Sequence, residues 1–146
     1  MTITGECLCG AIRFEVDRFE GPFELCHCTR CRKAFGSAFA AMIGVKRSDF
    51  RWRSGQDTVR RYEAPVRVHP PGYATAFCPR CGSPAPDVPE EGDWFEIPAG
   101  LLDVNFDTLP DRHIYVDYAC AWHEIRDELP RLTERELIRL RLGKND

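Results

Sequence analysis

Seven of the eight cysteines in this sequence fall into three short clusters. They are Cys7-Leu8-Cys9-Gly10, Cys26-His27-Cys28-Thr29-Arg30-Cys31 and Cys78-Pro79-Arg80-Cys81-Gly82. Two thiolates on one tight turn can share a tetrahedral ion. A glycine directly after the second cysteine admits a positive φ, which folds backbone amides back toward the sulfurs. Gly10 and Gly82 hold that position in the first and third clusters, so two distant segments carry matching half-sites. Together Cys7, Cys9, Cys78 and Cys81 make a closed set of four thiolates, the usual ligand set of a structural zinc.

The middle cluster differs. Cys26, Cys28 and Cys31 offer three thiolates with no glycine after the last, and Arg32-Lys33 follows instead. Three protein ligands and one open position form the catalytic zinc pattern. Spacing leaves a second reading open, a closed site completed by Cys120 or by His27, His69, His113 or His123. For His27, lying between two ligands, coordination of the same ion is sterically awkward. A zinc that already bears three thiolates is a weak Lewis acid and a poor activator of water. It suits a fourth, exogenous thiolate that stays nucleophilic, and Arg32 and Lys33 can offset the negative charge or grip an anionic thiol. The pattern favours sulfur chemistry over hydrolysis.

The elements that must position these sulfurs read as short strands. The chain has 146 residues, 43% hydrophobic and 29% charged, with a net charge of -3, which excludes wholesale disorder and gives no basic footprint for nucleic acid. Ile12, Phe14 and Val16 alternate with charged residues, as a half-buried strand does. Phe39 to Val45, Phe50-Arg51-Trp52, Val66 to Val68, Trp94 to Ile97 and His113 to Val116 are further strand candidates. Pro71-Gly72 fits a type II turn returning through Tyr73 to Phe77. Ser83 to Gly92 reads as an exposed loop. One helix is signalled, where Thr133 and Glu136 form a capping box and Leu132 and Leu137 a hydrophobic staple. That helix reads as an appendage whose arginines face solvent. With no basic and apolar leader at the start and no apolar span, the expectation is a cytoplasmic protein off the membrane, in which clustered thiols stay reduced and bind metal.

In this order, Gly5-Glu6-Cys7-Leu8-Cys9-Gly10, Cys26 to Lys33, Phe77-Cys78-Pro79-Arg80-Cys81-Gly82-Ser83-Pro84, Gly100-Leu101-Leu102-Asp103, His113-Ile114, Trp122 and Asp127-Glu128-Leu129-Pro130 closely resemble the glutathione-dependent formaldehyde-activating enzyme family, the GFA domain shared with centromere protein V. The resemblance implies a mainly β fold, a zinc-containing β-tent of antiparallel sheets with a short C-terminal helix. It implies a GFA-type zinc-binding domain over residues 1–131 and a helical extension over 132–146. It also implies two zinc ions, a structural one on Cys7, Cys9, Cys78 and Cys81 and a catalytic one on Cys26, Cys28 and Cys31. The activity it implies is a carbon–sulfur lyase type, joining formaldehyde or a related small aldehyde to glutathione, with the glutathione thiolate received at the second zinc beside Arg32 and Lys33. The partners are thus a small thiol and an aldehyde. Where relatives carry a serine and an arginine, this sequence has Tyr62-Glu63-Ala64-Pro65 and Ala74-Thr75-Ala76-Phe77.

Two other readings compete. A non-catalytic zinc-stabilised binding module needs a basic segment if its partner is nucleic acid, and none is present. Thiol–disulfide exchange at Cys28-Thr29-Arg30-Cys31 needs a strand–helix context that the sequence does not display. Of the remaining residues, His113 reads as a hydrogen-bonded structural histidine, Trp122 as core or pocket wall, Cys120 as a small buried residue and Asp103 as a turn stabiliser. Lys46, Arg47, Arg51, Arg53, Arg60, Arg61 and Arg67 read as a solvated face.

Overall fold

The computed structural model describes residues 2–67, 72–103 and 106–143. Among them are ten strands: β1 (Ile3–Glu6), β2 (Arg13–Val16), β3 (Phe23–Cys26), β4 (Ala40–Lys46), β5 (Phe50–Ser54), β6 (Arg60–Glu63), β7 (Ala74–Phe77), β8 (Trp94–Pro98), β9 (Arg112–Ile114) and β10 (Arg131–Leu132). Two helices accompany them, α1 (Thr29–Phe35) and α2 (Glu134–Leu142). The protein is mainly β. It divides into two compact units, Met1–Gly21 with Ile43–Thr108 and Pro22–Met42 with Leu109–Asp146.

In the first unit β1, β2 and β5 form an antiparallel sheet in that order. Its inward positions are the alternating Phe14, Val16 and Phe50, and the Phe14 and Phe50 rings stack 5.4 Å apart. Gly5 lies opposite Phe14 in the β1–β2 register, and a Cβ there would fall 2.3 Å from the Phe14 ring. Absence of a side chain therefore lets the ring cover the strand. β6 and β7 pair as an antiparallel hairpin, with Arg60 opposite Phe77 and Glu63 opposite Ala74. The hairpin expected to return through Tyr73 to Phe77 is present, but its outgoing strand is Arg60–Glu63. Val66 is 79% exposed and outside it, and Val68 and the turn expected at Pro71 lie outside the described residues. The segment from Ser83 is not wholly exposed. Ala85 donates to the Ala76 carbonyl and is buried, as is Pro86.

The second unit has a different logic. β3 is buried along its whole length and pairs in parallel with β9, which pairs in parallel with β10. Strands buried on both sides suit parallel pairing, and each connection needs a long crossover. The antiparallel expectation thus holds for the first unit's sheet and hairpin, and not for these three strands. Register places Glu24 opposite Arg112 and Cys26 opposite Ile114. Glu24, 1% exposed, accepts from Arg112 Nε at 2.7 Å and from Arg141 Nη2 at 3.1 Å.

That last contact revises the reading of α2. Its capping box forms as the sequence implies, with Thr133 and Glu136 hydrogen-bonded in both directions. Leu137 is fully buried, however, and Arg141, itself still exposed, reaches a buried carboxylate. The helix is anchored to the strand that ends in Cys26. Breaking a buried ion pair from one side strands the other charge, at about 3–5 kcal/mol, whereas half-exposed pairs are worth about 1 kcal/mol or less. Arg112→Ala, which takes the less exposed partner from the buried Glu24 carboxylate, is accordingly expected to destabilise far more than Arg141→Ala in chemical denaturation. Small and equal losses would show that this network does not hold the strand.

Candidate metal centres

The first centre is built from two turns that each follow a strand. β1 runs into Cys7, whose N–H donates to the Ile12 carbonyl at 3.1 Å, and Gly10 closes the turn onto the Cys7 carbonyl at 3.0 Å. β7 runs into Cys78 in the same manner, with Gly82 N–H donating to the Cys78 carbonyl at 2.7 Å. Gly10 and Gly82 have φ of 77° and 76°, the left-handed conformation anticipated for both. Leu8 N–H donates to Ser83 Oγ at 3.1 Å and ties one turn to the other. Cys7 and Cys78 are buried with Ile12, Ala76 and Ala85, and Trp52, Val59 and Cys81 pack against this group.

The four sulfurs of Cys7, Cys9, Cys78 and Cys81 all lie within 4.8 Å of one another. Cys7 and Cys9 Sγ are 3.7 Å apart, and Cys9 and Cys78 Sγ 3.8 Å. Those distances are far beyond a disulfide bond of about 2.05 Å. They match the edge of a sulfur tetrahedron around zinc, about 3.8 Å for a zinc–sulfur bond of about 2.3 Å. Backbone and hydroxyl donors already favour thiolates. The Ser83 amide and hydroxyl bring the Cys81 thiol down to about 6. Cys7 is lowered too, because the Ile12 amide, 3.3 Å from its sulfur, and neighbouring thiols outweigh burial. Cys9 accepts from the Ala11 amide, yet desolvation and the crowding sulfurs push it up to about 11. The donor set fits a divalent thiophilic ion, which would replace the remaining protons.

The second centre lies within the second unit. Cys26 ends β3, Cys28 caps α1, and Cys31 sits in its first turn. Cys31 N–H donates to Cys28 Sγ at 3.3 Å, and Gly36 ends the helix with a φ of 59°. Sequence reasoning missed α1. Its signals were the cap at Cys28 and Gly36, but seven residues without apolar periodicity give little else. The helix also supplies the strand–helix context that was expected to be missing around Cys28 and Cys31.

The three sulfurs lie within 4.8 Å of one another, and among the described residues no fourth cysteine, histidine or carboxylate joins them. Cys26 and Cys31 are buried while Cys28 is partly open. Hydrogen bonds from Cys26, Cys31 and two backbone amides draw the Cys28 thiol down, whereas Cys26 is pushed up by its bonds to Cys28 and Cys31 and by burial. Without a metal the cluster thus concentrates negative charge on Cys28. Arg32 is half-buried on α1, its Nε enclosed without a hydrogen-bond partner, whereas Lys33 is exposed. His69 lies outside the described residues.

Beside the cysteines runs a chain of polar contacts that the sequence could not display. Asp127 Oδ2 lies 2.9 Å from His113 Nε2, and His113 Nδ1 lies 2.8 Å from His27 Nε2. An ionised Asp127 accepts from His113, so His113 Nδ1 accepts from His27, and His27 Nδ1 is left unprotonated. That nitrogen is buried and has no hydrogen-bond partner among the described residues. His113 is a buried, hydrogen-bonded histidine, as expected, and Cys120 is buried. Asp103 accepts from the Thr4 hydroxyl at 2.9 Å. Trp122 is 74% exposed and therefore not a core residue. The basic residues of the first unit are mostly spent on surface pairs, Lys46 with Glu20, Arg51 with Asp17 and Glu15, and Arg61 with Asp87.

A mainly β chain with one four-cysteine and one three-cysteine cluster belongs to the class of cysteine-rich β proteins with candidate metal sites. Residues 2–118 match the family described as glutathione-dependent formaldehyde-activating enzyme, and the chain belongs to that family. A Halomonas elongata protein, provisionally named a glutathione-dependent formaldehyde-activating enzyme, is 31% identical over 131 residues, covering 86% of this chain and 82% of its own. A Rhodobacter sphaeroides protein of known crystal structure is 25% identical with a TM-score of 0.50, over 70% of this chain and 90% of that one.

Burial, with smaller contributions from His113, His123 and Arg32, lowers the His27 imidazole from 6.5 to about 4. Since the unfolded chain binds that proton more readily, the stability tied to neutral His27 is complete above about pH 6.5. It is lost as pH falls toward about 4. Thermal unfolding across this window should show the loss, and His27→Gln should flatten it. An unchanged profile in the variant would place the pH dependence elsewhere.

Proposed function

We propose that this protein is a zinc-dependent enzyme of the carbon–sulfur lyase type, acting on the adduct of glutathione or another small thiol with formaldehyde or a related small aldehyde. The observation that supports it best is the three-sulfur cluster with no fourth protein ligand among the described residues. In this reading Cys7, Cys9, Cys78 and Cys81 hold a structural zinc, within a zinc-binding domain over residues 1–131 that carries a helical extension over 132–146. Cys26, Cys28 and Cys31 hold a second zinc, which supplies a place where an exogenous thiolate is kept deprotonated and nucleophilic. The chain's own residues do the rest. Burial of Cys26 and Cys31 keeps water from two of the three sulfurs, so the exposed side at Cys28 is where a ligand enters.

Arg32 is the cation suited to an anionic thiol such as glutathione, because its half-buried guanidinium keeps an unused donor. Lys33, in solvent, contributes long-range attraction only. The carbon–sulfur bond forms between the thiolate and the aldehyde carbon, and the carbonyl oxygen takes a proton to become a hydroxyl. No described helix is long and apolar enough to cross a membrane, and we place the reaction in the cytoplasm, where thiols are reduced.

The reaction itself is the test, followed by NMR exchange between 13C-formaldehyde and its glutathione adduct. Wild type should accelerate the exchange, and Cys28→Ser should abolish the acceleration while keeping a folded chain with one zinc fewer. Arg32→Ala should weaken thiol binding by about 1–3 kcal/mol, roughly fivefold to a hundredfold, and Lys33→Ala by a few tenths of a kcal/mol. A fully zinc-loaded wild type that leaves the exchange at its background rate would overturn the proposal, in favour of a zinc-stabilised binding module.

A further inference from the structure

The first unit holds a cavity of about 520 Å³ that no residue of either cysteine cluster lines. β5 supplies its aromatic lining. Phe50 and Trp52 alternate there with Arg51 and Arg53, so the rings share one face of the strand and the cations the other. Arg51 pairs with Asp17 and Glu15, and Arg53 with Glu15, which leaves the aromatic face to the cavity. The two rings stand edge to face, 5.1 Å apart. Val59 extends this wall, and Pro86, Val88 and Pro89 complete the apolar lining. Their loop is strapped to β6, because Arg61 Nε lies 3.1 Å from both Asp87 carboxylate oxygens. Arg61 also pairs with Glu63, so its charge is met twice.

Arg47 is the other cation of the lining, and it is not spent in this way. Its backbone N–H donates to the Asp93 carbonyl at 2.8 Å and its Nε to the Gly92 carbonyl at 3.0 Å, which fixes the side chain in place. Its Nη2 is buried without a hydrogen-bond partner, and no carboxylate pairs with it among the described residues. An enclosed guanidinium with donors left over is costly, and a carboxylate satisfies it best. Asp87 and Glu90 also line the cavity, and they oppose a ligand with more than one negative charge. The volume lies in the range of small-molecule sites, which are mostly apolar with a few placed polar groups.

We propose that this cavity binds a small aromatic monocarboxylate, its ring against Phe50 and Trp52 and its carboxylate accepting from Arg47. Charge disfavours phosphate esters, and neutral aromatics lack the group that Arg47 requires. The inference goes beyond the proposed lyase reading and does not depend on it.

The test titrates the full-length protein with phenylacetate, phenylacetamide and phenyl phosphate, followed by proton–nitrogen correlation NMR. The chain has three tryptophans, so the Trp52 indole N–H is one of three such signals, and Trp52→Phe assigns it by removing one. Phenylacetate should move the Trp52 signal saturably and leave those of Trp94 and Trp122 in place. It should bind about tenfold tighter than either other probe, because only it offers a single charge to the guanidinium. Arg47→Gln should weaken phenylacetate about tenfold and leave phenylacetamide unchanged, while Arg47→Lys should keep part of the affinity. The comparison of the three probes on wild type does not rely on any variant folding. A Trp52 signal that phenylacetate leaves unmoved, a second probe that binds as tightly, or an Arg47→Gln variant that binds phenylacetate as wild type does would overturn the proposal.

Discussion

Four sulfur atoms held within 4.8 Å of one another are the constraint on which the first unit depends. Thiols at that spacing cannot all ionise without a counter-charge, because like charges in a desolvated place raise one another's cost steeply. The opposite drifts of Cys81 and Cys9 are this conflict made visible, one sulfur favoured as thiolate and the other disfavoured. A shared divalent cation would resolve it, and the two turns bring the four sulfurs close enough to hold one. Each half-site follows a strand, turns on a left-handed glycine and donates an amide inward, while Ile12, Ala76 and Ala85 wall the cluster with apolar atoms. Binding energy at such a place is also folding energy, since no preformed site exists in the open chain.

The second unit handles three sulfurs differently. Cys26 is locked into a parallel ladder, and the carboxylate two residues earlier is clamped by Arg112 and Arg141. Cys28 and Cys31 sit instead at the start of a short helix. Two buried sulfurs and one partly open sulfur at Cys28 make a cluster that solvent reaches from one side. The Asp127–His113–His27 chain adds a fixed polar support behind the cysteines and holds the intervening ring in one tautomer. Tyr115 directly follows the strand that pairs with Cys26. It is the non-glycine residue with positive φ among the described residues, at 57°, and it is buried. Strain of this kind persists where surrounding structure over-determines it.

Much of this was legible in the residues themselves. Both cysteine clusters, the glycine turns, most strands and the α2 capping box follow from spacing and alternation, which are local signals. What escaped is non-local or too short to announce itself. Nothing in Phe23-Glu24-Leu25-Cys26 says that it pairs in parallel with a three-residue strand near position 113, and a seven-residue helix capped by a metal-type cysteine resembles a loop. The role of α2 was misread because Arg141 looks like any surface arginine until its partner, Glu24, is seen to be buried. Trp122 is exposed and so outside the core, since an indole in sequence suggests a core but does not require one.

Zinc-edge X-ray absorption, with metal content measured on the same samples, probes the central claim most directly. Two zinc ions per chain are expected. One keeps four sulfurs whether or not glutathione is added, and the other moves from a mixed shell of three sulfurs and a lighter atom to four sulfurs when the thiol arrives. A single zinc per chain, or two shells that glutathione leaves unchanged, would contradict it.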